Sequence, residues 1–327
     1  MASTRSSCCS LWDAAPAHFY PVGVAGKPWG DAERAQWLAN QTSIQRSYQE
    51  EVLDKLEELK EQFDVEQFGA LTLDPKRYPL FVVKTRNWDE GKPSLFITGG
   101  THGYETSGVQ GALLFARTDM AKYAGIFNIA VVPCVSPWSY ECIQRWNPST
   151  VDPNRSYVPD SPSEECAAVL RLLTSLKVPH WMAHWDLHET TDTDLEEFMP
   201  AKASRDGLPL EDDVIPDGFY LMGCTEAPQD EWHKAMIDAV RKVTHIAPGD
   251  ADGKILGLPL SQEGVVNSNP VGKGKGATGQ VCDQNAKYAT TTEAVLTTAT
   301  RLLTPTWTLT FTLPLFFRSI LTASRRL

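Results

Sequence analysis

The chain has 327 residues, 42% apolar and 22% charged, the balance of a folded globular protein with ample length for a substantial core. Its formal net charge of -11 excludes nucleic acid as the main partner, because phosphate binding needs a basic surface. The seven cysteines, at positions 8, 9, 134, 142, 166, 224 and 282, show no C-x-x-C spacing. They read as reduced, mostly buried thiols, not as a disulfide framework or a structural zinc site.

The opening stretch "MASTRSSCCSLWDAAPAHFYPVG" carries Arg5 but no apolar segment of a secretory leader, so a cytoplasmic location is the expectation. Residues 31–63 are rich in helix formers and space Leu53, Leu56, Leu59 and Phe63 three and four apart, which predicts an amphipathic helix or helix pair. "YPLFVVKTR" and "SLFITGG" read as strands joined by the turn "NWDEGKP". From there the pattern alternates. "VQGALLFARTDMAKY" is helical, "FNIAVVPCVSP" a strand, and "SPSEECAAVLRLLTSL" a helix capped by Ser163. "HWMAHWDLHET" and "GFYLMG" are strands and "DEWHKAMIDAVRKV" a helix. A polar stretch and the glycine-rich "NPVGKGKGATGQ" lead to a last strand near "YATTTEA" and a short helix, "VLTTATRLL".

No window reaches about 18 uninterrupted apolar residues, so neither a transmembrane helix nor a membrane partner is expected. The tail "WTLTFTLPLFF" alternates threonines and reads as a strand. Strands alternating with helices predict an α/β fold, a mixed, mostly parallel sheet flanked by helices on both faces. The clearest boundary falls near residue 75, giving a helical N-terminal region (1–75), an α/β body (76–303) and an atypical tail (304–327).

In "LFITGGTHGYETSG", an apolar strand runs through Gly99 and Gly100 into His102 and Glu105. The glycines permit a sharp turn, and residues three apart share a face in a first helical turn. An imidazole and a carboxylate make two ligands for a divalent cation, and catalytic zinc takes three protein ligands plus a water, so a third ligand is expected elsewhere. In "HWDLHET", His184, Asp186 and His188 share one face of a strand; the i,i+4 histidines could also be read on a helix. His188, nearest the strand's end, is the expected third ligand, and His184 a satisfied core histidine.

"RWNPSTVDPNRSY" packs Arg145, Asp152, Asn154 and Arg155 into one loop. Built from Asn and Pro, it can be a plain surface turn. Its arginines can also pair bidentately with a carboxylate, and Asp152 can hold a ligand histidine by its second ring nitrogen. Glu293, ending "ATTTE", can take a proton from a metal-bound water and pass it to a leaving amine.

In this order, "HGYE", "RWNPSTVDPNR", "DLH" and "TTTEA" resemble the motifs of the M14 family of zinc metallocarboxypeptidases, over about residues 78–303. The resemblance implies a zinc carboxypeptidase-like fold and one Zn²⁺ per chain, held by His102, Glu105 and His188. It implies that Asp152 orients His102, that Arg145 polarises the scissile carbonyl, and that Asn154 and Arg155 hold the substrate's free carboxylate. Glu293 would be the general base and then the general acid. Thr150 stands where the family's loop has glycine and Pro153 where leucine or alanine is commoner, so a different loop shape is expected. The tyrosine that covers the substrate in many members is not located; Tyr288 is near Glu293 in sequence.

Three functions follow: cleavage of an amide beside a free C-terminal carboxylate; deacylation of N-acyl amino acids, as in the related succinylglutamate desuccinylase and aspartoacylase branch; and carboxylate or protein binding without catalysis. The partner is accordingly a peptide or an N-acyl amino acid, and the sequence leaves the oligomeric state open. The acidic run "DTDLEE" (192–197) reads as a solvated loop sooner than as a pocket for a basic side chain. "VGKGKGATGQ" reads as a lid, and it lacks the G-K-[ST] context of a nucleotide loop.

Overall fold

Residues 20–41, 43–211, 214–268, 276–283 and 286–295 are described by the computed structural model of the protein. In chain order, helix α1 (Asp31–Asn40) is followed by a π-type turn, Gln49–Leu53, that runs into α2 (Asp54–Leu59). Strands β1 (Asp64–Ala70), β2 (Pro79–Lys84) and β3 (Ser94–Gly99) precede α3 (Thr106–Thr118) and α4 (Met120–Tyr123). Then come β4 (Asn128–Val132), α5 (Pro137–Cys142), α6 (Glu164–Leu176), β5 (Trp181–Thr190), α7 (Met199–Asp206), β6 (Tyr220–Cys224) and α8 (Asp230–Val240). The hairpin strands β7 (Lys254–Ile255), β8 (Leu258–Gln262) and β9 (Val265–Ser268), then α9 (Ala277–Asp283) and β10 (Tyr288–Val295), complete the order.

The ten strands form one sheet in the order β1-β2-β4-β3-β5-β10-β6-β9-β8-β7. Its centre, β4-β3-β5-β10, is parallel, and β6 pairs β9 in parallel, whereas β1-β2-β4, β10-β6 and β9-β8-β7 are antiparallel. The fold is therefore the expected α/β one with a mixed sheet, but the sheet is not mostly parallel: the parallel pairs are concentrated at the centre and antiparallel strands extend it on both sides. β3 and β4 are buried at every position, which is why both read as continuous apolar runs. On one face Val82, Phe96, Ala130 and Trp181 pack with Cys166, Val169 and Leu173 of α6 and Val281 of α9. On the other, α3 lies so close to β5 that a Cβ at Gly108 would stand 2.3 Å from the Leu187 carbonyl oxygen. Ser163 caps α6 as expected, its hydroxyl accepting from the Cys166 amide.

The described residues fall into two compact units: 20–40 with 193–211, and 41–192 with 214–295. In the first, Trp29 Nε1 donates to Ser204 Oγ, Ser204 Oγ donates to the Val22 carbonyl, and Tyr20 donates its phenol to Glu197 at 2.7 Å. The run "DTDLEE" is thus no solvated loop; Asp194–Phe198 is helical, Asp194 is buried and Glu197 is engaged by Tyr20. No break falls near residue 75, because Asp64–Ala70 is the edge strand of the sheet, paired with β2. Its polar sequence, "DVEQFGA", hid it from a reading by apolar alternation. The tail 304–327, residues 296–303 of the helix expected from 295 and residues 271–275 of the glycine-rich lid lie outside the described residues; Val295 ends β10, and the rest of the lid leads into α9. Among the described residues, no helix is long and apolar enough to cross a membrane. Cys134, Cys142, Cys166 and Cys224 are free and buried.

Candidate metal centre

His102, Glu105 and His188 come together at the C-terminal ends of β3 and β5, where open α/β sheets bind ligands. One donor atom from each lies within 4.8 Å of the others, and all three side chains are buried. Gly100 makes the turn after β3 at φ +65°, and a Cβ there would meet Val109 at 2.6 Å. Gly103, between the two ligands, has no room for a side chain at all: its Cβ would lie 1.9 Å from the Ser139 carbonyl carbon.

Each imidazole is held by its second nitrogen. His102 Nε2 lies 3.0 Å from Asp152 Oδ1, and His188 Nε2 lies 2.9 Å from Asp186 Oδ2. Neutral rings with those protons committed to carboxylates would turn their Nδ1 lone pairs inward, as metal ligation needs. There, Glu105 Oε1 is 2.5 Å from His102 Nδ1 and Glu105 Oε2 is 2.8 Å from His188 Nδ1. The second contact lacks hydrogen-bond geometry, so Glu105 Oε2 is a buried oxygen with no hydrogen-bond partner among the described residues. Three acceptors facing one another require positive charge between them, as extra protons or as a cation. Glu105, Asp152 and Asp186 carry three negative charges against the one of Arg145, and a divalent ion would offset the difference. Two imidazoles and a carboxylate are a donor set that suits such an ion.

Protonation in the metal-free protein reflects the same excess of acceptors. Burial opposes charge on Glu105, but attraction to the neighbouring imidazoles of His102 and His188 outweighs it and holds the carboxyl at about 2. Burial likewise opposes charge on His188, and Glu105 and Asp186 overcome it, raising the imidazole well above its ordinary value. Burial also opposes charge on the half-buried Asp152, yet Arg145 and His102 hold it well below the usual carboxylate range. His184 lies outside the cluster. Its Nε2 donates to Thr98 Oγ1, whose own proton goes to Asp186 Oδ1 at 2.6 Å; the ring stacks on Phe96, and burial lowers it to about 4.

The loop at 145–155 reaches the centre through Asp152. Arg145 Nε donates to Asp152 Oδ2 at 3.2 Å and its Nη1 to the Tyr104 phenol oxygen at 2.6 Å. Thr150 adopts φ +58°, so the loop keeps a glycine-like conformation with a β-branched residue in it. Asn147 sustains that turn, its Oδ1 accepting from the amides of Ser149 and Val151. Pro153 opens a 3₁₀ turn capped by Asp152, whose Oδ1 accepts from the Asn154 amide. Arg155 is exposed, with Nη1 donating to the Asn154 carbonyl.

Glu293 is the register partner of His188 across the parallel β5–β10 pair, so the two side chains leave the sheet on the same face. Thr190 Oγ1 donates to its Oε2 at 3.1 Å. Tyr288 stands at the opposite end of β10, its ring tilted against that of Trp232 with centroids 5.1 Å apart, and roughly 16 Å along the strand from Glu293. It is no cover for this site.

Two residues at this centre have no role legible in the sequence. The strand period places Asp186 on the face of His188, but only the fold shows which histidine it holds. Tyr104, inside "HGYE", carries no sequence signal for its bond to Arg145, 41 positions away.

No protein-family model matches the chain, and no curated protein matches it. Solved structures do. A candidate metallopeptidase from Shewanella amazonensis SB2B superposes with a TM-score of 0.60 at 18% identity, covering 86% of this chain and 94% of that one. A metallo-carboxypeptidase from Burkholderia cenocepacia gives 0.54 at 14% identity over 91% and 70% of the two chains. Bovine thrombin-activatable fibrinolysis inhibitor, solved with a tick carboxypeptidase inhibitor, gives 0.51 at 14% over 92% and 98%. The chain therefore has the carboxypeptidase-like fold of these structures.

Proposed function

We propose that the protein is a zinc-dependent hydrolase that cleaves an amide next to a free C-terminal carboxylate. The carrying observation is the convergence of His102, Glu105 and His188, with Glu293 in register beside His188. Zinc bound there supplies a Lewis acid and a water acidified to a pKa of about 7. Glu293 accepts the proton of the attacking water and delivers it to the departing amine, a contribution of about 10²- to 10⁴-fold. Arg145, oriented by Asp152 and Tyr104, donates to the oxygen that gains charge as the carbonyl is attacked. Asn154 and Arg155 receive the substrate's carboxylate. The four buried free thiols support a reducing, cytoplasmic setting.

The test is metal analysis joined to a substrate panel on the zinc-loaded protein. Release of C-terminal amino acids from peptides supports the proposal, and release of acetate or succinate from N-acyl amino acids redirects it to deacylation. Bound zinc with neither activity leaves a non-catalytic binding role and overturns the proposal. Glu293→Gln is expected to keep the metal and lose about 10²- to 10⁴-fold in turnover. Full activity in that variant refutes its assigned role.

A further inference from the structure

The turn that carries two of the three metal-facing side chains is not self-supporting. Between His102 and Glu105 the backbone makes one long bond, from the Glu105 amide to the His102 carbonyl at 3.3 Å. Glu105 itself, at φ -81° and ψ 77°, is outside the helix that begins at Thr106, and its side chain does not cap that helix. The Gly103 amide donates to the Gln144 carbonyl at 2.9 Å, pinning one side of the turn to the end of α5.

The other side is tied by Arg46, a residue of the arm that precedes the sheet. Its Nη2 donates to the Gly103 carbonyl and its Nη1 to Thr106 Oγ1, one atom on either side of Glu105. Its Nε donates to the Tyr140 carbonyl of α5 at 2.6 Å, and the guanidinium lies over the Tyr140 ring, 3.8 Å from its centroid. The platform is fixed in turn. Tyr140 donates its phenol to Glu51 of the same arm and accepts from Gln110 Nε2 of α3 at 2.8 Å. The amides of Gln45 and Arg46 both donate to the Glu141 carbonyl, which sets the guanidinium's origin.

We propose that Arg46 is a positioning residue of the metal centre, clamping the 102–106 turn so that His102 and Glu105 meet on one ion. The inference rests on the metal reading above. Three donors in one rigid plane satisfy three acceptors from two segments at once, which a lysine's single ammonium cannot do in the same geometry. The arm at 41–59, distant in sequence from every metal-facing residue, thereby becomes part of what shapes the site.

Arg46→Ala and Arg46→Lys in the full chain test this directly. Partners that orient metal ligands typically contribute about 10- to 100-fold in metal affinity. Arg46→Ala is expected to raise the zinc dissociation constant by about that factor, measured against a chromophoric chelator, and to alter the visible absorption of the Co²⁺-substituted protein. Arg46→Lys is expected to fall between that variant and wild type, and it carries the test if the alanine variant does not fold. Wild-type zinc affinity and an unchanged Co²⁺ spectrum in a folded variant, with only the metal-free melting temperature lowered, overturn the proposal. A wild-type chain that binds no zinc overturns the metal reading and this inference together.

Discussion

Two buried histidine neighbourhoods on one sheet have opposite outcomes. At the mouth of β3 and β5, His188 is fully enclosed and stands between two carboxylates, Glu105 and Asp186, at 2.8 and 2.9 Å. On α8, His233 is equally enclosed, and among the described residues neither of its ring nitrogens has a hydrogen-bond partner. It lies against the sheet where β6 has Gly223; a Cβ there would come within 2.5 Å of the imidazole. Burial lowers His233 to about 4, with Asp230 opposing only weakly, whereas the two carboxylates raise His188 well above its ordinary value. Enclosure makes a histidine neutral. Carboxylates aimed at both nitrogens make it a participant in a charged centre.

Truncation should separate the two regions most sharply. His188→Ala is expected to abolish stoichiometric zinc binding and reduce hydrolysis to background, while His233→Leu keeps both. Equilibrium dialysis with metal analysis reads the difference, and retained zinc in His188→Ala would dismantle the proposed centre. A smaller effect tests the carboxylate itself. Asp186→Asn keeps the size of the side chain but removes the charge facing His188 Nε2, and should weaken zinc binding about 10- to 100-fold. An unchanged affinity would mean that enclosure alone suffices.

Acid titration of the metal-free protein provides the finest comparison. His184 and His233, both at about 4 in the fold, bind fewer protons than they do unfolded, where histidine titrates near 6.5. Their contribution to stability is therefore complete above about pH 6.5 and is lost as the pH falls towards 4, by at most roughly 3 kcal/mol each. Glu105 and Asp186, both at about 2, contribute above the ordinary carboxylate range, and that stability is lost as the pH falls through about 2. His188, raised, works the other way: its contribution is complete below about pH 6.5 and disappears as the pH rises through its folded value. Melting temperatures from pH 7 to 4 should fall less steeply in His233→Leu than in the wild type. An identical slope would show that His233 is not the neutral, unpaired group that its surroundings imply.

Much of the centre was legible from local spacing. His102 and Glu105 are three apart after a strand, and the two-residue period of β5 put His184, Asp186 and His188 on one face. The β-branched run ending in Glu293 read as a strand for the same reason. The hairpin strands β7 to β9 were not legible, because their short polar segments alternate with exposed turns and carry no apolar run. Nor was the packing of residues 20–40 with 193–211, whose contacts, such as Trp29 to Ser204, span 175 positions.

The sequence by itself determined which side chains are on offer at each strand end, since side-chain types and short spacings are local properties. Only the tertiary structure decided which of them meet. Asp152 reaches His102 across 50 positions, Glu105 reaches His188 from another strand's end, and Arg46 reaches the metal turn from an arm 57 positions before Gly103. Electrostatic neighbours set the charge state of a buried group, and in this chain those neighbours are brought together by the order of strands in the sheet.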